Sequence, residues 1–274
     1  MKHDVLKTPF SAQEDGVAFV GGNTMVPEGL SDFFKAHLRL ALAFSGGTDS
    51  SYLLYAAKKS GCDVHAYYIH SQFQPEFELK DAHRLADELD ADMTVIELDA
   101  LANPKVAENP ADRCYHCKRV LFETLTARAK ADGYDLLIDG TNASDDAGDR
   151  PGMKALAELK VVSPLRDCGI TKDMVRKYAR LARLFTWDKP AYACLATRVP
   201  TGQSIESELL RKIERAENAL FAMGFHDFRV RVIGKTARLQ FKKDEITQAF
   251  ERRGSIVEAF KGDFDGVLLD FKER

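Results

Sequence analysis

The chain has 274 residues, enough for one large core or two smaller ones, and at 45% hydrophobic and 30% charged it has the composition of an ordinary globular protein. A net charge of -3 argues against a protein whose main task is gripping nucleic acid, and no apolar run approaches the length of a membrane span, so neither is an expected partner. Five cysteines, an odd number, do not read as a disulfide framework, and the first sixteen residues hold no apolar signal stretch. The expected setting is therefore the cytoplasm, with the thiols used for metal, redox chemistry or burial.

Residues 1–26 read as an irregular arm and 31–37 as a short helix, together an N-terminal extension over 1–38. From Arg39 strands and helices alternate. Leu40–Phe44 is a buried strand and Ser50–Lys59 a helix closed by Gly61. Strand 64–70, helix 76–89 after Pro75, strand 93–98, helix 113–131, strand 135–139 and helix 152–160 follow, and Thr171 caps a helix running to about Leu184. This alternation predicts an α/β fold, a doubly wound parallel sheet over 39–203. After the long polar stretch 187–204 the pattern changes to helix 205–223, a hairpin of 228–233 with 236–241, helix 244–253 and strand 266–271. That is a smaller α+β domain over 204–274, suited to substrate binding or assembly.

The turn after the first strand, "SGGTDSS", is the most informative stretch. Gly46 and Gly47 permit a tight turn with inward-facing N–H groups. Ser45, Thr48, Ser50 and Ser51 add hydroxyls, and the following helix adds its positive end. The turn suits a pyrophosphate, although it lacks the lysine of a Walker loop. Asp49 fits such a site if a divalent cation bridges it to phosphate or if it caps the helix. Gly140 and Thr141, with Asn142, end the fourth strand at the same sheet edge and border the expected nucleotide. Asp145, Asp146 and Asp149 are candidate magnesium ligands in an acidic loop that also holds Arg150.

Cys114 and Cys117 stand at i and i+3 at the start of a helix, so both thiols share a face. Cys194 lies far along the chain in the segment between the two domains. Three converging thiols leave one iron of a [4Fe-4S] cluster without a protein ligand. The same set with a histidine suits zinc, and three buried unligated thiols are a further reading. His116 points away from the pair, and Cys62 and Cys168 read as core residues. Along the hairpin Arg229 and Arg231 share one face, and Arg198 stands four residues after Cys194. Such guanidinium forks suit phosphate and carboxylate, or simply a solvated strand face.

S-G-G-x-D-S after a buried strand resembles the pyrophosphate loop of the N-type ATP pyrophosphatases, or PP-loop proteins. These include synthetases for NAD, GMP and asparagine and several tRNA-thiolating enzymes. The resemblance implies that ATP is split between its α and β phosphates and that a substrate is adenylated. Through "SGGTDS", "DGTNASDDAGDRPGMKAL", "SPLRD", "WDKPAYACLATRVPTG" and "GFHDFRVRV", in order across most of 39–232, the chain further resembles the LarE family of ATP-dependent sulfur transferases. That resemblance implies a carboxylated nucleotide substrate, pyridinium-3,5-biscarboxylic acid mononucleotide, whose carboxylate becomes a thiocarboxylate for a nickel-pincer cofactor. It implies homo-oligomers and two sulfur sources in the family: one sacrificed cysteine, or a [4Fe-4S] carrier on three cysteines. Cys114, Cys117 and Cys194 match the cluster type, and Cys194 also falls in the segment of the sacrificed cysteine. A tRNA-thiolating enzyme and a non-catalytic nucleotide- and metal-binding module are the alternatives.

Overall fold

The first strand forms as β1 (Arg39–Ala43), apolar after its first residue and buried at its three central positions. It lies between β2 (Asp63–His70) and β4 (Leu137–Asp139), with β3 (Met93–Glu97) outside β2, and all pairings are parallel. The structure, a computed structural model, describes residues 25–145 and 151–273. Side chains alternate across a strand. Leu40 and Leu42 therefore face one core, filled by α1 (Glu28–Ala36), α2 (Thr48–Lys59), α3 (Glu76–Glu88) and α8 (Lys172–Leu181). Ala41, with Tyr67 and Ile69 of β2, faces another, covered by α5 (Arg113–Ala131) and α6 (Pro151–Glu158). Helices on both faces make this the doubly wound α/β fold that the alternation predicts. The strand order reverses between β1 and β4, and a ligand crevice is expected outside their carboxyl ends.

Element bounds differ from the sequence reading mainly at helix starts. α1 begins at Glu28, directly after Pro27, and α2 begins at Thr48 with Gly47 as its N-cap. Thr171 caps α8 as expected, accepting a hydrogen bond from Met174 N at 3.4 Å. Two one-turn helices, α4 (Pro104–Ala107) and α7 (Pro164–Asp167), each start on a proline, whose fixed φ suits a first helical turn.

The C-terminal part contains α9 (Ser207–Ala222) and the antiparallel hairpin β5 (Phe228–Ile233) with β6 (Thr236–Phe241). One helix was expected over 244–253. Instead α10 (Lys243–Glu251) ends at Arg252, and α11 (Arg253–Phe260) buries Ile256 and Phe260. This crossover lets β7 (Gly266–Leu269) pair parallel to β6, giving the order β5-β6-β7. The core under this sheet also takes Phe73, Ala100 and Val106 from the first half of the chain. Among the described residues no helix is long and apolar enough to cross a membrane.

Candidate active site

The glycine-rich turn is shaped by two close approaches. A Cβ on Gly140 would lie 2.8 Å from Ser50 N, so the end of β4 presses on the first turn of α2. Gly46 has φ +68°, and a Cβ there would meet Glu78 O of α3 at 3.3 Å. Within the turn Ser50 Oγ accepts from Ser45 N at 3.3 Å, lies 3.1 Å from Ser45 Oγ and donates to Gly47 O at 3.2 Å. No side chain caps α2, so its leading N–H groups are left for a ligand. The hydroxyls do not act alike. Ser45 is exposed, Thr48 donates to Thr186 O at 2.8 Å, and Ser51 is fully buried with no hydrogen-bond partner among the described residues.

Asp49 faces Lys172 in an ion pair and accepts from Asn142 Nδ2 at 3.2 Å. Lys172 opens α8, and its N–H donates to Ser144 Oγ at 3.0 Å. A cation from distant sequence therefore stands beside a loop that has no lysine of its own. Thr141 Oγ1 donates to Asp139 at 2.6 Å, and Gly140 acts through its missing side chain. Asp145 accepts from Asn142 N at 3.0 Å, one hydrogen bond further out than Asp49. Asp146, Asp149 and Arg150 lie outside the described residues.

A cavity of about 390 Å³ opens from this turn and reaches Cys194. Ala43, Ile69, Leu121, Phe122 and Leu125 give it an apolar wall, while Ser45, Asp49, Glu78, Lys172, Lys189 and Tyr192 supply polar groups. Lys189 pairs with Asp81 at 2.7 Å and lies 3.5 Å from Gly46 O, which makes it a second cation at the loop.

The three cysteines are brought together by Arg113. Its buried guanidinium donates to Asn109 Oδ1 at 3.0 Å and to Ala196 O at 2.9 Å, tying the start of α5 to the segment that holds Cys194. Burial pushes the Cys117 thiol up to about 12, and the neighbouring Cys194 and Cys114 thiols add to the shift. Burial likewise raises Cys194, with Arg113 opposing and Cys114 reinforcing. Each thiol is thus an electrostatic neighbour of the others, and Cys114 is the exposed one. Among the described residues no three His, Cys, Asp or Glu side chains converge closely enough for a single metal ion. His116 turns to Asp112 at 3.2 Å. Cys62 is buried beside Phe34 O, and Cys168 lies 3.7 Å from where a Gly29 Cβ would be.

The arginines divide the work. Arg198 is fully buried, and its fork holds Glu217 at 2.8 and 3.1 Å. Glu217 also accepts from Tyr192 OH and, at 3.0 Å, from Val230 N. Arg198 therefore locks the Cys194 segment onto the second sheet and is not an open anion contact, as the sequence reading had it. Arg231 donates to Thr197 O at 2.7 Å and to Gln240. Arg229 has no hydrogen-bond or ion-pair partner among the described residues, and burial, then Arg198 and Arg231, lower its pKa. It is a half-buried cation that faces Arg198 and Arg231, with Glu217 and Tyr192 opposing them in part, and a further anion would relieve the remainder.

A family model described as queuosine biosynthesis protein QueC matches residues 39–109, which hold the glycine-rich turn. An uncharacterized protein of Synechocystis sp. is 35% identical over 252 residues, covering 89% of this chain and 93% of its own. The pyridinium-3,5-bisthiocarboxylic acid mononucleotide synthase of Lactiplantibacillus plantarum is 31% identical over 210 residues, 76% of each chain. The chain belongs to the LarE family. It is an ATP-dependent enzyme of sulfur transfer. A tRNA-specific 2-thiouridylase of Clostridium botulinum is more distant, 27% identical over 55% of this chain.

In this LarE-family chain the structure gathers Ser45, Gly47, Thr48, Asp49 and Cys194 on one cavity. Sequence reasoning passed over Glu78, Lys172, Lys189 and Glu217. Lys172 directly follows a recognised helix cap, and Lys189 stands five residues before Cys194, so position alone offered a faint signal for both. Nothing local marks Glu78, which matters by its place on the cavity wall, or Glu217, whose partners Arg198, Tyr192 and Val230 N come from other elements.

Proposed function

We propose that the protein adenylates a carboxylate of pyridinium-3,5-biscarboxylic acid mononucleotide and then exchanges the AMP for sulfur, giving a thiocarboxylate. The observation that carries this reading is the single cavity joining the phosphate loop to Cys194. The adenine ring takes the apolar wall, and the β and γ phosphates take the loop and the uncapped start of α2. Lys172 and Lys189 offset the negative charge that gathers on pyrophosphate as it leaves. Magnesium arrives with the nucleotide, and Asp49, with Asp145 further out, is the carboxylate at hand. Arg229 is the fork for the substrate's phosphate or second carboxylate. The exchange is chemically reasonable because AMP is a far better leaving group than oxide, so a soft sulfur nucleophile displaces it readily.

Three thiols without a fourth suit a [4Fe-4S] cluster, whose ligands spread wider than those of one ion. Cys114, Cys117 and Cys194 would hold it, and when bound it supplies an iron free to carry sulfide. The chain's own part is to give up the thiol protons, which burial holds in place on Cys117 and Cys194 until the metal binds. The relative from L. plantarum bears the synthase name, which supports the choice of acceptor.

The test is pyrophosphate release from ATP with this acceptor present or absent, alongside mass detection of the thiocarboxylate. One pyrophosphate and one AMP per acceptor carboxylate are expected. Release that ignores the acceptor, or that responds to bulk tRNA instead, refutes the assignment. Anaerobic reconstitution with iron and sulfide is expected to give one cluster per chain, lost in Cys194→Ala, and a chain that takes up no iron excludes the cluster carrier.

A further inference from the structure

We propose that Glu78 is the proton acceptor of the sulfur-transfer half of the reaction, taking the proton from the sulfur nucleophile as the carbon–sulfur bond forms. This rests on the sulfur-transfer reading above and adds a residue to it. Glu78 lies in the first turn of α3, whose backbone touches the phosphate loop at Gly46, and its side chain lines the cavity between that loop and Cys194.

The other carboxylates in and around the cavity are already spoken for. Asp49 is held by Lys172 and Asn142, and Asp81 by Lys189. Glu217 is held by Arg198, Tyr192 and the Val230 N–H. The Glu78 carboxyl has no hydrogen bond or ion pair among the described residues, so it is a mostly buried acid that faces the reaction space unengaged. The groups facing it are Lys189 of the Cys194 segment, Asp81 of its own helix and Arg198, with the phenols of Tyr68 on β2 and Tyr192 on the linking segment. Burial is the main influence and pushes the carboxyl up to about 7, with Asp81 adding to the rise while Lys189 and Arg198 oppose it. An acid poised near the working pH both takes and returns a proton efficiently.

The step balances without oxidant or reductant. A hydrosulfide, or another sulfur nucleophile bearing an S–H, attacks the carbonyl carbon of the acyl adenylate. The carbon–sulfur bond forms and the bond from that carbon to the AMP oxygen breaks, its electron pair leaving with AMP. The S–H proton passes to the Glu78 carboxylate, and the product departs as a thiocarboxylate anion. Glu78 then returns the proton to water. Adenylation needs no such acceptor, because the attacking carboxylate carries no proton. The proposal therefore separates the two halves of the reaction.

The test is Glu78→Gln, with Glu78→Asp as the conservative partner. With the carboxylated mononucleotide, first-turnover pyrophosphate release is expected at the wild-type rate. Thiocarboxylate formation with supplied sulfide is expected to fall by about 10²–10⁴-fold. With the hydrosulfide anion held at constant concentration, the wild-type sulfur half slows as the pH drops below about 7, and Glu78→Gln lacks that limb. Glu78→Asp is expected to restore part of the rate. Unchanged thiocarboxylate formation, or an equal loss in both halves, overturns the proposal, the second outcome marking Glu78 as a binding or packing residue. If the wild type itself releases no pyrophosphate, the substrate reading has failed and thermal unfolding decides on Glu78. A carboxyl raised by burial contributes stability below the ordinary carboxylate range and loses it as pH rises through about 7. Glu78→Gln is then expected to melt higher than the wild type at pH 8 and not at pH 4. Equal differences at the two pH values overturn the proposal without any substrate.

Discussion

Arg198 sits four residues beyond Cys194, and from the letters alone it is a basic group free to meet an anion. In the fold it is fully buried and bound to Glu217, nineteen positions downstream. A guanidinium in that setting is stable only because both fork nitrogens face one carboxylate, which itself takes two further hydrogen bonds. Arg198→Met would leave the Glu217 charge buried beside Tyr192, and a loss of about 3–5 kcal/mol is expected from such an uncompensated charge. Adding Glu217→Gln should recover part of it, and a double-mutant cycle by denaturant unfolding measures the coupling. If the two losses simply add, the pair is not the clamp described. The sequence reading takes Arg198 from its place four residues after Cys194 and Arg229 from the alternation along the hairpin. The partner carboxylate distinguishes them, and a partner so distant in sequence leaves no local trace.

Elements were legible where their signals are local. The cap at Thr171, the proline before α3 and the apolar run of β1 all mark their elements within a few residues. The second C-terminal helix was missed because "RRGS" reads as a stop, whereas Ile256 and Phe260 win it back by burial in the second core. The cap at Thr171 has a consequence at the site, because Lys172 is the first residue of the helix it begins. Thr171→Ala removes the hydrogen bond to Met174 N and should cost about 1 kcal/mol. The fraying first turn then holds Lys172 less firmly against Asp49. The expected result is a small drop in the thermal midpoint with weaker pyrophosphate binding and little change in nucleoside binding. Isothermal titration with pyrophosphate and with adenosine separates the two effects, and equal weakening of both would speak against Lys172 as a phosphate contact.

At the scale of the whole molecule, the two sheets do not divide the chain into independent bodies. Phe73, Ala100 and Val106 of the first half share a core with Leu195, Leu210, Ile213 and Leu220. Backbone hydrogen bonds from Leu195 N to Phe73 O, Gly202 N to Asn109 O and Ile205 N to Ala107 O stitch the linking segment down. The sequence reading places a boundary near residue 203 on a change of pattern, but a pattern change does not reveal which apolar residues are shared across it. Sharing a core should make unfolding cooperative across both sheets. ATP that binds only the folded state then stabilises the entire chain. At a hundredfold excess over its dissociation constant the gain is about 2.7 kcal/mol, which for a chain of this size is a rise of roughly 5 °C in one midpoint. Calorimetry should show a single transition that moves as a whole. Two transitions, with only the lower or only the upper moved by ATP, would mean that the sheets melt separately and that the cavity wall carrying Cys194 is not held by the nucleotide.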